Sequence, residues 1–183
     1  MNLLTSFAPF LVSAVLIPLG FIEGGLWGGA LTAAVLLLRD RLLLGRSIKI
    51  LEVGTMVLFA GLGLYSAVTA YAWTIPEVRL VVDAGLLAIA LASLAVGVPF
   101  TLQYARESTP AEVWSRPEFL AVNRRITLVW VGVFLVMVAA DAAMVFVPAI
   151  PRRLDIIATV LVLVGAFKFT ARATQPRSRM EAA

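Results

Sequence analysis

Three carboxylates stand in otherwise apolar surroundings: Glu23 in PLGFIEGGLWGGA, Asp83 in RLVVDAGLL and Asp141 in VMVAADAAMVF. An acid set among apolar residues is raw material for holding a proton, a cation or a polar solute. Hydroxyls on a further apolar stretch, Tyr65, Ser66 and Thr69, would suit the same task. Other chemistry is poorly provided for. The chain has no histidine and no cysteine. That excludes a Ser-His-Asp triad, a thiolate nucleophile and the usual zinc ligand sets. The glycines of GGLWGG do not follow a strand or open a phosphate-binding loop, so they give no nucleotide site. No catalytic residue, metal ligand or cofactor is assigned, and a non-enzymatic protein is expected.

What must position these acids is set by composition. Of 183 residues, 61% are hydrophobic and 14% charged, against about 45–50% and about 25% in soluble chains. The apolar residues form runs of membrane-crossing length. The expectation is an all-α polytopic membrane protein, one domain over residues 1–183, with about six spans at 3–22, 24–38, 53–73, 80–100, 126–146 and 155–170. The N-terminal run lacks a basic n-region and reads as a retained span. Residues 24–38 would cover only roughly 22 Å of helix, short of the ~30 Å hydrocarbon core. The first two segments are therefore either short spans or a partly re-entrant hairpin, with glycines permitting the turn.

Charge placement orients the chain. Of the 15 lysines and arginines, all but Arg79, Arg152 and Arg153 fall on the side of the N-terminus. By the positive-inside rule the segments 39–52 and 101–125 are cytoplasmic loops, and 171–183 is a cytoplasmic tail. Both termini are then cytoplasmic. The lipid bilayer accounts for this basicity, so no nucleic-acid partner is expected. Small residues at four-residue spacing, such as Gly20/Gly24/Gly28 and Gly63/Ala67, suit close helix packing within the chain, or a homodimer face.

With that topology Glu23 lies at an outer turn and Asp83 about one turn into span four. Asp141 is ~24 Å up span five from Arg125. All three occupy the outer part of the bilayer. Two uses compete. Arg79 and Asp83, four apart, would pair along one helix face, while Arg152 or Arg153 would partner Asp141 or Glu23 and fasten helix ends. Alternatively, the acids with Tyr65, Ser66 and Thr69 line a site for a proton, cation or polar solute.

Residues 101–125 contain two capping-box patterns, Thr109-Pro-Ala-Glu112 and Ser115-Arg-Pro-Glu118, which predict a short interfacial helix near 110–116. Trp114, Arg116, Glu118, Arg124 and Arg125 form a candidate partner-docking stretch. From PFTLQYARESTPAEVWSRPEFLAVNRRITLVW (99–130) a likeness emerges. Very short outer turns, a long inner loop with a Trp, and the entry Arg125-Ile-Thr127-Leu-Val-Trp130 together resemble the intracellular septation protein A family of small bacterial inner-membrane proteins. The resemblance implies a membrane protein that organises envelope or division partners, with no reaction attached. Span five carries Asp141 where that pattern has an uncharged Asn, which singles out Asp141. The alternative is a small transporter or channel using the outer acids.

Overall fold

The computed structural model describes residues 3–147, 149 and 151–174. Among these the regular structure is entirely helical: α1 (Leu3–Ser6), α2 (Ala8–Leu16), α3 (Ile22–Leu38), α4 (Ile50–Thr69), α5 (Ile75–Ala95), α6 (Phe100–Glu107), α7 (Pro117–Phe146) and α8 (Arg152–Ala173). A π-helical turn, Arg39–Leu43, continues α3, and a 3₁₀ turn covers Ala111–Val113. Five helices are long and apolar enough to cross a membrane: Ile22–Leu43, Ile50–Thr69, Ile75–Ala95, Pro117–Phe146 and Arg153–Ala173. Their outward faces carry large apolar side chains, including Leu31, Val68, Leu135 and Val164. Water would not tolerate so continuous an apolar surface, whereas lipid requires one. The chain is a helical membrane protein.

The expected first span, 3–22, is not one helix. It breaks at Phe7, and α2 is only nine residues long, about 14 Å against a ~30 Å core. Pro18 and Gly20 end the segment, Gly20 reversing the chain at φ +91°, a conformation glycine adopts freely. The segment then folds back along α3, where Val12 and Leu16 pack on Gly28. The second span is longer than expected, because Arg39, Asp40 and Arg41 extend the helix instead of leaving it. Asp40 is 2% exposed there; its charge is paired inside the protein, so it does not mark a loop.

Further on, α4 stops earlier than residue 73, at a left-handed Ala70. Thr74 and Glu77 form a reciprocal capping box with Pro76 in the first turn and start α5. That helix ends at Ala95, ahead of Pro99, and Gly97 turns the chain at φ +73°. What was expected as the loop 101–125 opens with α6, whose Phe100, Thr101, Leu102 and Tyr104 are buried. Ser93 Oγ accepts from the Phe100 amide at 3.1 Å. Thr101 Oγ1 donates to the Asn123 carbonyl and meets Thr127 Oγ1, both at 2.8 Å.

The interfacial helix expected near 110–116 is replaced by the single turn Ala111–Val113. Neither expected capping box forms: Thr109 Oγ1 donates backward to Ala105 O, and the Arg116 cap position has no side-chain hydrogen bond. The tail beyond Thr174 lies outside the described residues.

Two apolar clusters hold the bundle. One centres on Trp130, which stacks on Phe7 at 5.2 Å and meets Phe167 edge-on at 5.0 Å. The other gathers Ile17, Leu26, Phe59, Val78 and Val82. Phe10 borders both, with its ring 5.2 Å from that of Phe59.

Candidate functional site

The capping box that starts α5 fixes where Arg79 emerges, one turn into the helix. Its guanidinium reaches across to two other helices. One nitrogen lies 3.1 Å from Asp141 Oδ1 on α7, and the other pairs with Asp155 Oδ2 in the first turn of α8. Asp83, a turn further along α5, lies close enough to the Asp141 carboxyl for the two to interact. Asp83, Asp141 and Asp155 are 7%, 1% and 3% exposed. Asp141 Oδ2 and Asp155 Oδ1 are buried without a hydrogen-bond partner. Among the described residues, one guanidinium thus faces three carboxylates.

A cavity of about 570 Å³ leads to this cluster, within the range of small-molecule sites. Among the described residues, Arg79 and Asp83 are the charged residues of its wall, and Ser13 and Thr159 supply the only hydroxyls. Everything else is apolar: α2 contributes Phe10, Leu11 and Ala14, α7 contributes Phe134 and Met137, and α8 contributes Val160 and Leu163. Thr159 Oγ1 is buried without a hydrogen-bond partner. The cavity lies where α2 and α8 both flank α5. Leu11 and Val160, on those flanking helices, are more than half exposed on the outward surface.

Of the sequence candidates, Asp83 and Asp141 come together and Glu23 does not join them. Glu23 is exposed and accepts a 3.2 Å hydrogen bond from Ser66 Oγ. Thr69 Oγ1 bonds its own helix at Tyr65 O, and the Tyr65 ring packs against Trp73 at 5.8 Å. The three hydroxyls therefore belong to a different face. Arg79 does not pair along its helix with Asp83, because Asp141 and Asp155 occupy both its terminal nitrogens. Arg153 is exposed and has no ion pair among the described residues, while the Arg152 side chain lies outside them. Trp114, Arg116, Glu118, Arg124 and Arg125 are all exposed. Asp155 is not among the sequence candidates, because it stands at the boundary between an outer turn and span six, where an acid carries no signal of its own.

A second buried network stands at the opposite end of the bundle. Lys49, 0% exposed, places Nζ 2.7 Å from Glu107 Oε1, 3.3 Å from Glu52 Oε1 and 3.9 Å from Asp40 Oδ2. Its ammonium also lies 5.3 Å from the Tyr104 ring centroid. Ser6 Oγ donates to Glu52 Oε1 at 3.4 Å, fastening the N-terminal segment to α4. Burial pushes the Glu107 carboxyl up, but the hydrogen bond and charge of Lys49 outweigh it and hold it below its ordinary value. Burial pushes the Tyr104 hydroxyl well up, keeping it neutral. Arg39 Nη2 lies 2.8 Å and Arg46 Nη1 3.7 Å from Asp40, and Arg46 Nε lies 4.0 Å from Glu107, so among the described residues cations and acids here are matched in number, which marks the group as a fastening.

No family model, curated protein or solved structure matches this chain.

Proposed function

We propose that this protein binds an amphiphile drawn sideways from the bilayer into the cleft beside α5, with the ligand's polar head at the Arg79–Asp83 end. The observation that carries this reading is the cavity itself: apolar walls leading to one charged cluster. Such a lining suits a chain-bearing molecule better than the proton, cation or polar solute first considered, since a hydrated ion would gain nothing from Phe10, Phe134 and Leu163. Orientation follows the charge asymmetry. With the basic segments cytoplasmic, the cluster lies in the outer part of a bacterial inner membrane. The protein acts as a binding or carrier protein.

A second reading is favoured by a different observation. Trp114, Arg116, Glu118, Arg124 and Arg125 are exposed along one stretch, the arrangement through which envelope or division partners would be organised. The two readings are compatible.

Native mass spectrometry of protein extracted in a mild detergent tests the first reading. Wild type is expected to retain a bound amphiphile as a discrete added mass. Ala14→Phe and Thr159→Phe, each placing a ring into the cavity, are expected to lose it while keeping their helical content. Unchanged retention in both would refute the cleft as the binding site.

A further inference from the structure

The charge inventory of the cluster specifies the head of the ligand, given the cleft proposed above. Arg79 spends one terminal nitrogen on Asp141 and the other on Asp155. Asp83 is part of neither ion pair, yet it is the carboxylate on the cavity wall. Behind it, Asp141 Oδ2 and Asp155 Oδ1 are buried with no hydrogen-bond partner among the described residues. Among the described residues, this low-dielectric site holds three carboxylates and one cation, and is short of positive charge and short of donors. An anionic head would meet the carboxylates, and the guanidinium that might receive it is already engaged. A head carrying both positive charge and several N–H donors would supply both deficits at once.

We infer that the cleft selects a single-chain amphiphile whose head is a primary ammonium group without phosphate, with Asp83 as its carboxylate partner and the chain lying along Phe10, Leu11 and Leu163. Thr159 Oγ1, unpartnered on the same wall, would orient the apolar stem by accepting from the head or donating to a linking oxygen. Asp83 thereby sets specificity, and the two aspartates behind it raise the negative potential that the ammonium enters.

The test uses the full-length protein in zwitterionic nanodiscs, with Trp27, Trp73 and Trp114 replaced by phenylalanine. Trp130 is then the sole tryptophan. It sits directly behind the cavity wall, against Phe7 and Phe167. Chain-brominated dodecylamine, dodecanol, dodecyl sulfate and dodecylphosphoethanolamine are titrated, and quenching of Trp130 is read as saturable binding. Dodecylamine is expected to bind about tenfold to a hundredfold more tightly than dodecanol, the scale of a hydrogen-bonded charge pair. Dodecyl sulfate and dodecylphosphoethanolamine should be weaker than the amine. Asp83→Asn should erase the advantage of the amine over dodecanol.

Equal binding of amine and alcohol, or tighter binding of the sulfate or the phosphoethanolamine, would overturn the ammonium assignment while leaving the cleft standing. Saturation by none of the four probes, or saturation unaffected by Ala14→Phe, would remove the cleft reading beneath it. The wild-type ranking needs no variant, so a poorly folding Asp83→Asn would not shield the proposal.

Discussion

Replacing Lys49 with Met removes the fully buried cation from a group of acids that Arg39 and Arg46 reach only from the surface side, while keeping most of the side-chain volume. The ammonium sits 2.7, 3.3 and 3.9 Å from Glu107, Glu52 and Asp40. At an effective dielectric of about 20, a pair at the middle distance attracts by about 5 kcal/mol before desolvation is counted. Stripping water from a fully buried ammonium offsets much of that gain, so the network's net contribution is modest. Removing one partner is different, since the carboxylates keep their desolvation cost and lose their compensation. The expected loss is about 3–5 kcal/mol.

Glu107 is the most accessible acid of the set, its side chain 15% exposed, so its share is partly screened. Reversible unfolding in mixed micelles measures the change for Lys49→Met, for Glu107→Gln and for the pair. The double variant should recover part of the loss, with a coupling of about 1–3 kcal/mol. A Lys49→Met protein within about 0.5 kcal/mol of wild type, or strict additivity, would show that the acids do not depend on this lysine.

At the other end, Arg79→Lys keeps the charge but replaces a fork that reaches Asp141 and Asp155 together with a single point. It should cost about 1.5–3 kcal/mol, toward the lower figure because the Arg79 side chain is 29% exposed, as read by the same unfolding assay. Gly29→Ala would set a methyl 2.9–3.1 Å from ring atoms of the fully buried Phe59, and overpacking of this kind costs about 1–3 kcal/mol; a thermal midpoint at or above wild type would refute it. Glu107 has a folded value below its ordinary 4.5, so its contribution is fully present above that value and is lost as pH falls through the lowered one. The stability gap between wild type and Glu107→Gln should be flat near neutrality and close in acid.

The membrane-helical class is legible because apolar runs of this length have no other stable use in water. Helix limits are less so. The pattern Thr74-Ile-Pro-Glu77 carried its start signal openly, within what reads as a short turn. The boxes at Thr109 and Ser115 carry the same letters and do not form, since Thr109 is committed to the preceding helix. α6 is hidden because its polar residues spend their hydrogen bonds on distant segments: Thr101 on α7 and Gln103 on the Ile50 amide.

Charge also misleads in one direction. Asp40 and Lys49 look like loop residues until Glu52 and Glu107, far apart in the chain, close around them. For the same reason Asp83 and Asp141 could be placed at one depth from sequence, but not shown to meet. That depends on which faces of α5 and α7 pack, a tertiary property without local signal. Asp155 completes the cluster only because α8 returns beside α5.

The cleft is tested most directly by photo-crosslinking from its wall. A benzoylphenylalanine at Leu163, which lines the cavity, is compared with one at Leu161, which is 65% exposed and not part of the lining. With dodecylamine added to protein in nanodiscs, crosslinking at Leu163 should saturate and be abolished by Ala14→Phe, while crosslinking at Leu161 rises in proportion to the amphiphile. Proportional, unsaturated crosslinking at both positions would mean that Leu163 meets only bulk lipid, and that no amphiphile is held there.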